Sequence, residues 1–118
     1  MMVGVMREAL GQPDEAESPY QRAEELYGSR AIFLAMRAQQ YTTLGWYEQA
    51  EADALEAIEL DDHFPIAYCS LGSALEGQEK LPQAIGAFQT CADLAREQDQ
   101  NELYVIATTR LAYLMQRP

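Results

Sequence analysis

Lysine and histidine are nearly missing from this 118-residue chain: Lys80 and His63 are the only examples, and the other seven basic residues are arginines. Eight basic residues against nineteen acidic ones leave a formal charge of -11. A surface of that sign repels a phosphate backbone or an anionic bilayer, so no nucleic acid and no membrane is an expected partner. Long apolar runs are missing too. The opening MMVGVM carries no basic leader and falls far short of the roughly 20 residues a membrane helix needs, so a cytoplasmic segment is expected. Cysteine is scarce. Cys69 and Cys91 are not a close-spaced pair and sit in apolar helical surroundings, which reads as two buried thiols rather than a disulfide or a metal site.

Catalytic signals are equally thin. His63 lies in an Asp61-Asp62-His63 turn with no second ligand cluster at metal spacing. No serine or cysteine sits in a nucleophile motif, no glycine-rich loop could cradle phosphate, and Glu24-Glu25 reads as ordinary helix surface. The expectation is therefore no enzyme, no metal and no cofactor. The length is that of one domain with one core.

What is present is a period. Leu10–Leu26 reads LGQPDEAESPYQRAEEL, Leu44–Leu60 reads LGWYEQAEADALEAIEL and Gln78–Leu94 reads QEKLPQAIGAFQTCADL, each offset from the last by 34 residues. Ala16, Ala50 and Ala84 fall in one column, and Leu26, Leu60 and Leu94 in another. Helices crossing at close range need small residues where the backbones approach, so the alanines read as contact points and the leucines as closing each pair against the next. Apolar spacing is helical: Leu34, Ala38 and Tyr41 step by four and three, as do Ala50, Ala54 and Ala57. Breaks at Gly11–Pro13, Gly28–Ser29, Gly45, Asp61–Pro65 and Gly77–Lys80 divide the chain into about seven helices, near 1–10, 14–27, 30–43, 47–61, 65–77, 81–97 and 101–116. Pro19 would fall inside the second, so Ser18-Pro19-Tyr20-Gln21 predicts a fresh start or kink at Ser18.

These residues resemble the tetratricopeptide repeat family, a 34-residue helix-turn-helix with a W-x2-L-G-x2-Y, A-x3-F, P pattern. Tyr68, Leu71, Gly72, Leu75, Ala84, Phe88 and Cys91 match it most fully. Leu34, Ala38, Tyr41, Gly45, Ala50 and Ala57 match in the preceding segment, which departs at Arg37, at Ala54 and at Asp62 in place of proline. Val3, Gly4, Gly11, Ala16, Tyr20 and Ala23 keep the register earlier still. The resemblance implies an all-α superhelix of antiparallel helix pairs. The whole of 1–118 is read as one domain, a piece of a longer protein, with repeats near 1–30, 31–64 and 65–98 and a capping helix near 101–116. Extending the period into that last helix puts Ile106 under Gly72 and Thr109 under Leu75, so the register is expected to slip across Arg96–Glu102. Tyr104, Ala107, Leu111 and Leu114 then form the stripe that docks it.

In this family the first helix of each pair lines a concave groove that binds a peptide or a partner's helix. Carried onto this chain, the lining is Val5 and Glu8, then Ile32, Ala35, Gln39 and Thr42, then Ile66, Cys69, Ser73 and Glu76. The clamp by which some members hold an acidic chaperone tail is missing, since its places hold Ala35, Gln39 and Ser70. Glu48, Glu51, Asp53, Glu56 and Glu59 read as a solvated outer face, and Trp46 and Phe64 as exposed candidates for partner contact. The reading is a protein-interaction scaffold for a protein or peptide. The alternatives are a self-assembling homodimer module and a regulatory or targeting segment of a larger enzyme.

Overall fold

The computed structural model describes residues 29–116. They contain five helices: α1 Arg30–Thr43, α2 Tyr47–Leu60, α3 Pro65–Gly77, α4 Leu81–Glu97 and α5 Asn101–Gln116. No strand occurs among the described residues. The expected count of about seven is thus not matched. The first two expected helices, with the break at Ser18, lie outside the described residues. The chain divides into compact units at 1–33 and 34–118, and the packing below concerns the second.

α1, α3 and α4 end where the backbone turns left-handed, whereas α2 ends on extended backbone at Asp61. Gly45 has φ +84°, Glu79 +61° and Asp99 +59°. The hydrogen bonds repeat: Trp46 N–H donates to Tyr41 O, Lys80 N–H to Leu75 O and Gln100 N–H to Ala95 O, each sealing the end of a helix. The first two turns are the same turn one period apart, with glycine in one and glutamate in the other. Pro65 and Pro82 stand in the first turns of α3 and α4, where a missing N–H costs nothing.

α3 packs on α2, α4 and α5, and α4 packs on α5. Two cores result. The larger joins Cys69, Leu75, Ala84, Ala87, Phe88 and Cys91 to Ala107 and Leu114 of α5, with Tyr104 and Leu111 packed against it. The stripe expected to dock the last helix is the one that docks. The smaller core is four alanines, Ala38, Ala50, Ala54 and Ala74, flanked by Tyr41 and Leu71.

Four sequence expectations change. Cys69 and Cys91 are joined in a disulfide between α3 and α4, with Cα atoms 5.4 Å apart, within the range a bridge requires. They stand 34 residues after Ala35 and Ala57, both fully buried, so this is a position where paired helices come close. Asp53 is not part of a solvated face: it is 7% exposed, and its two carboxylate oxygens accept from Arg37 Nε at 2.6 Å and Nη2 at 3.0 Å. Leu60 is 52% exposed and closes nothing, whereas Leu94 is buried. Nor does the register slip across the run Arg96–Glu102. That run is absorbed by the end of α4, a short turn and the start of α5, and Arg110 of α5 meets Glu76 of α3, the residue 34 before it.

Candidate functional site

Thr42, Ser73 and Glu76 were placed on one surface by their columns in the period, and they line one hollow of about 420 Å³ together with Tyr47, Gly77, Glu79 and Arg110. Most of its members come from the three odd-numbered helices, with Tyr47 from the start of α2 and Glu79 from the turn after α3. Thr42 belongs to α1, Ser73 and Glu76 to α3, and Arg110 to α5, so the hollow runs across the stack rather than along one helix. The Thr42 hydroxyl donates to Ala38 O at 2.9 Å, which fixes its rotamer and leaves its oxygen able to accept.

The lining is less neutral than its sequence suggests. Arg110 Nη2 forms an ion pair with Glu76 Oε2, and the guanidinium also lies 5.1 Å from the centre of the Tyr113 ring. Glu76 is well covered and Arg110 partly open, so the pair braces the hollow while showing part of its cation to solvent. Hydroxyl, carboxylate and guanidinium groups thus converge within one concavity. Such a set can hydrogen-bond the backbone and polar side chains of an extended segment.

The other groove residues divide. Ile66 lines a second, mostly apolar hollow of about 520 Å³ with Gln100, Asn101, Glu102, Leu103 and Ile106. Gln39 is exposed and Ile32 half-buried, the latter in the first compact unit. Ala35 and Cys69 do not line the surface. Ala35 is fully buried, with its carbonyl accepting from Ser70 Oγ at 3.2 Å, and Cys69 is 6% exposed and bonded to Cys91. A helix that carries a partner on one side and the next repeat on another has little room for an open stripe, so the small residues went inward. Val5 and Glu8 lie outside the described residues.

Trp46 is 52% exposed, with its ring 5.6 Å from that of Tyr41, so it rests on its own helix pair and still presents a face to solvent. Phe64 is half-buried at the start of α3 and is not an open hot spot. Arg110 is the residue that the sequence reading missed. The signal for it was present: Thr42, Glu76 and Arg110 occupy one column at the 34-residue period.

Two turn features complete the picture. Asp61, Asp62 and His63 bring three candidate ligand atoms within 4.8 Å of one another, all exposed, with His63 Nδ1 2.7 Å from Asp62 Oδ1. Tyr68 of α3 reaches back to this turn, its hydroxyl donating to Asp62 O at 3.0 Å. Burial, followed by the negative charges of Asp62 and Asp61, raises the Tyr68 phenol above its ordinary value.

Comparison with known proteins follows the same outline. The family model described as "Tetratricopeptide repeat" matches residues 31–64. The chain is 33% identical over 79 residues to small glutamine-rich tetratricopeptide repeat-containing protein 2 of Saccharomyces cerevisiae, covering 67% of this chain and 23% of that one. It is 31% identical over 70 residues to the protein of the same name from Mycosarcoma maydis, covering 59% of this chain and 20% of the relative. The chain therefore spans less than a quarter of the length of these curated relatives. No solved structure matches it.

Proposed function

Because this chain belongs to the tetratricopeptide repeat family and is a helical-repeat interaction scaffold, we propose that it holds an extended peptide or a partner's helix across α1, α3 and α5. The observation that carries this reading is the shared hollow of Thr42, Ser73, Glu76 and Arg110, three of them drawn from the column that the repeat register marks as surface. Apolar burial near Ile66 and hydrogen bonds near Ser73 would supply affinity. Because Arg110 is already paired with Glu76, binding should depend only weakly on salt.

The test is selection from a displayed peptide library, followed by measurement of each selected peptide on Ser73→Arg. Ser73 is half-buried on the hollow, so arginine fills the space without entering the core. Ala35→Arg would not serve, since Ala35 is fully buried. Loss of binding with melting unchanged supports the reading. Undiminished binding by the folded variant moves the site to another face.

No helix among the described residues is long and apolar enough to cross a membrane. An oxidising compartment would preserve the Cys69–Cys91 bond, whereas a reducing one would keep the two thiols free.

A further inference from the structure

α2 and α4 hold the same place one period apart, and each packs on α3 without packing on the other. Between them one side of α3 stays open. Tyr68, Leu71 and Leu75 floor a hollow of about 380 Å³ there, with Leu55 of α2, 46% exposed, on one wall and Gly86 and Thr90 of α4 on the other. At 100° per residue the floor lies on the side of α3 opposite Ile66, Ser73 and Glu76, and this outer hollow shares no residue with the Thr42 hollow or the Ile66 hollow. It also lies inside the array. A repeat stacked before residue 31 or after residue 98 adds beside these helices rather than between them, since each repeat contacts its neighbours alone.

The charge around the outer hollow has one sign. Glu48, Glu51, Leu55 and Glu59 fall within about 80° of one another around α2, so the exposed leucine stands in a row of carboxylates. Glu51 is already engaged: it accepts from Gln78 Nε2 at 2.8 Å and lies 3.6 Å from Lys80, the one cation among the lining residues. Glu48 and Glu59 are exposed and form no ion pair among the described residues. Beyond Glu59 comes the Asp61–Asp62 turn, against which Gln98 at the end of α4 is held by donating to His63 O at 2.6 Å. The field of that turn reaches the hollow, because Asp62 and Asp61, after burial, raise the phenol of Tyr68 on its floor.

We propose that the outer hollow docks a basic amphipathic segment of a partner protein, which sets large apolar side chains on Leu55, Leu71 and Leu75 and arginine or lysine against Glu48 and Glu59. The space is too small for a helix 10–12 Å across, so it takes side chains from a segment lying over it. Apolar burial holds the segment and charge selects it. A segment with carboxylates in the flanking places would be repelled by a chain of formal charge -11. At the peptide site of α1, α3 and α5 the cation is already paired with Glu76, whereas here the open carboxylates gain partners, so affinity falls as salt is added.

One displayed peptide library, selected on the 118-residue chain and read on variants of each site, separates the two. An added Cβ at Gly86 has nothing within 4 Å, so Gly86→Phe fills the outer hollow without entering the core, and melting checks that the variant is folded. Leu55→Gln reads the other wall independently, giving an exposed leucine the residue found 34 places later at Gln89. A class of peptides with arginine or lysine flanking apolar residues is expected, bound by Ser73→Arg as by the parent and weakened about tenfold or more by Gly86→Phe. Glu48→Gln with Glu59→Gln should weaken the same class, by a margin that shrinks between about 20 mM and about 500 mM salt. Three results would overturn the proposal: no class sensitive to Gly86→Phe or Leu55→Gln, a sensitive class without an excess of basic residues, or basic peptides that bind folded Gly86→Phe undiminished and so adhere by net charge alone. Peptides lost on Ser73→Arg but not on Gly86→Phe would sink this site and leave the peptide site of α1, α3 and α5 standing.

Discussion

Residues 31–64 and 65–98 trace the same path of helix, left-handed turn and helix, yet they fill it differently. In the later segment the Phe88 ring lies against Gly72, where a Cβ would come within 2.8 Å of it. In the earlier one the same two places hold Ala54 and Ala38, both fully buried. One site swaps a large residue against none for two small ones. The later segment adds a covalent tie at Cys69 and Cys91, where the earlier one has Ala35 and Ala57. The earlier segment adds instead the pair of Arg37 and Asp53, with the guanidinium 5.4 Å from the Tyr41 ring. Its departures from the family pattern at Arg37 and Ala54 thus have local partners. A repeat architecture fixes distances between helix axes, and several combinations of side chains meet that distance.

The largest break in this comparison should come from Phe88→Ala, which gives the later segment the small residue of the earlier one without the compensating methyl at Gly72. A loss of about 3–5 kcal/mol in urea unfolding is expected. Next is the covalent tie. Cys69→Ala with Cys91→Ala should cost about 3 kcal/mol by the chain-entropy argument for a loop of this size, read from melting under non-reducing conditions. Conversely, Ala35→Cys with Ala57→Cys should create a second bridge, detected as an absence of free thiol after oxidation.

Smaller is Asp53→Ala, which removes the buried carboxylate that accepts from Arg37 Nε and Nη2 and should cost about 1–3 kcal/mol. The same substitution at Glu48, which is exposed, should do almost nothing. The smallest concerns the turns. Gly45→Ala places a side chain at φ +84° with no neighbour within 4 Å, so about 1 kcal/mol should be lost to backbone strain alone. Glu79 already carries that strain one period later.

Much of this was legible from spacing. Glycine, proline and the three-four step of apolar residues mark α1 to α5 within a residue of their observed ends, because those signals act within one turn of the chain that carries them. Thr42, Ser73 and Glu76 were legible as a surface for the same reason: a fixed period converts a column into a line of neighbours. Cys69 was not. Its pairing depends on how near α3 lies to α4 at that level, and 22 residues of sequence separation carry no such distance. Asp53 misled for a related reason, since an acidic residue on the outer stripe of α2 reads as solvated until Arg37 is known to reach it.

Local chemistry and the period therefore determined the helices, their turns and the family by sequence alone, because each rests on contacts a few residues or one repeat apart. Which small residues close a core, which cysteines meet and which carboxylate is paired were decided only by the tertiary structure. Those outcomes depend on ångström-scale separations between helices, and such separations arise when all the side chains pack together.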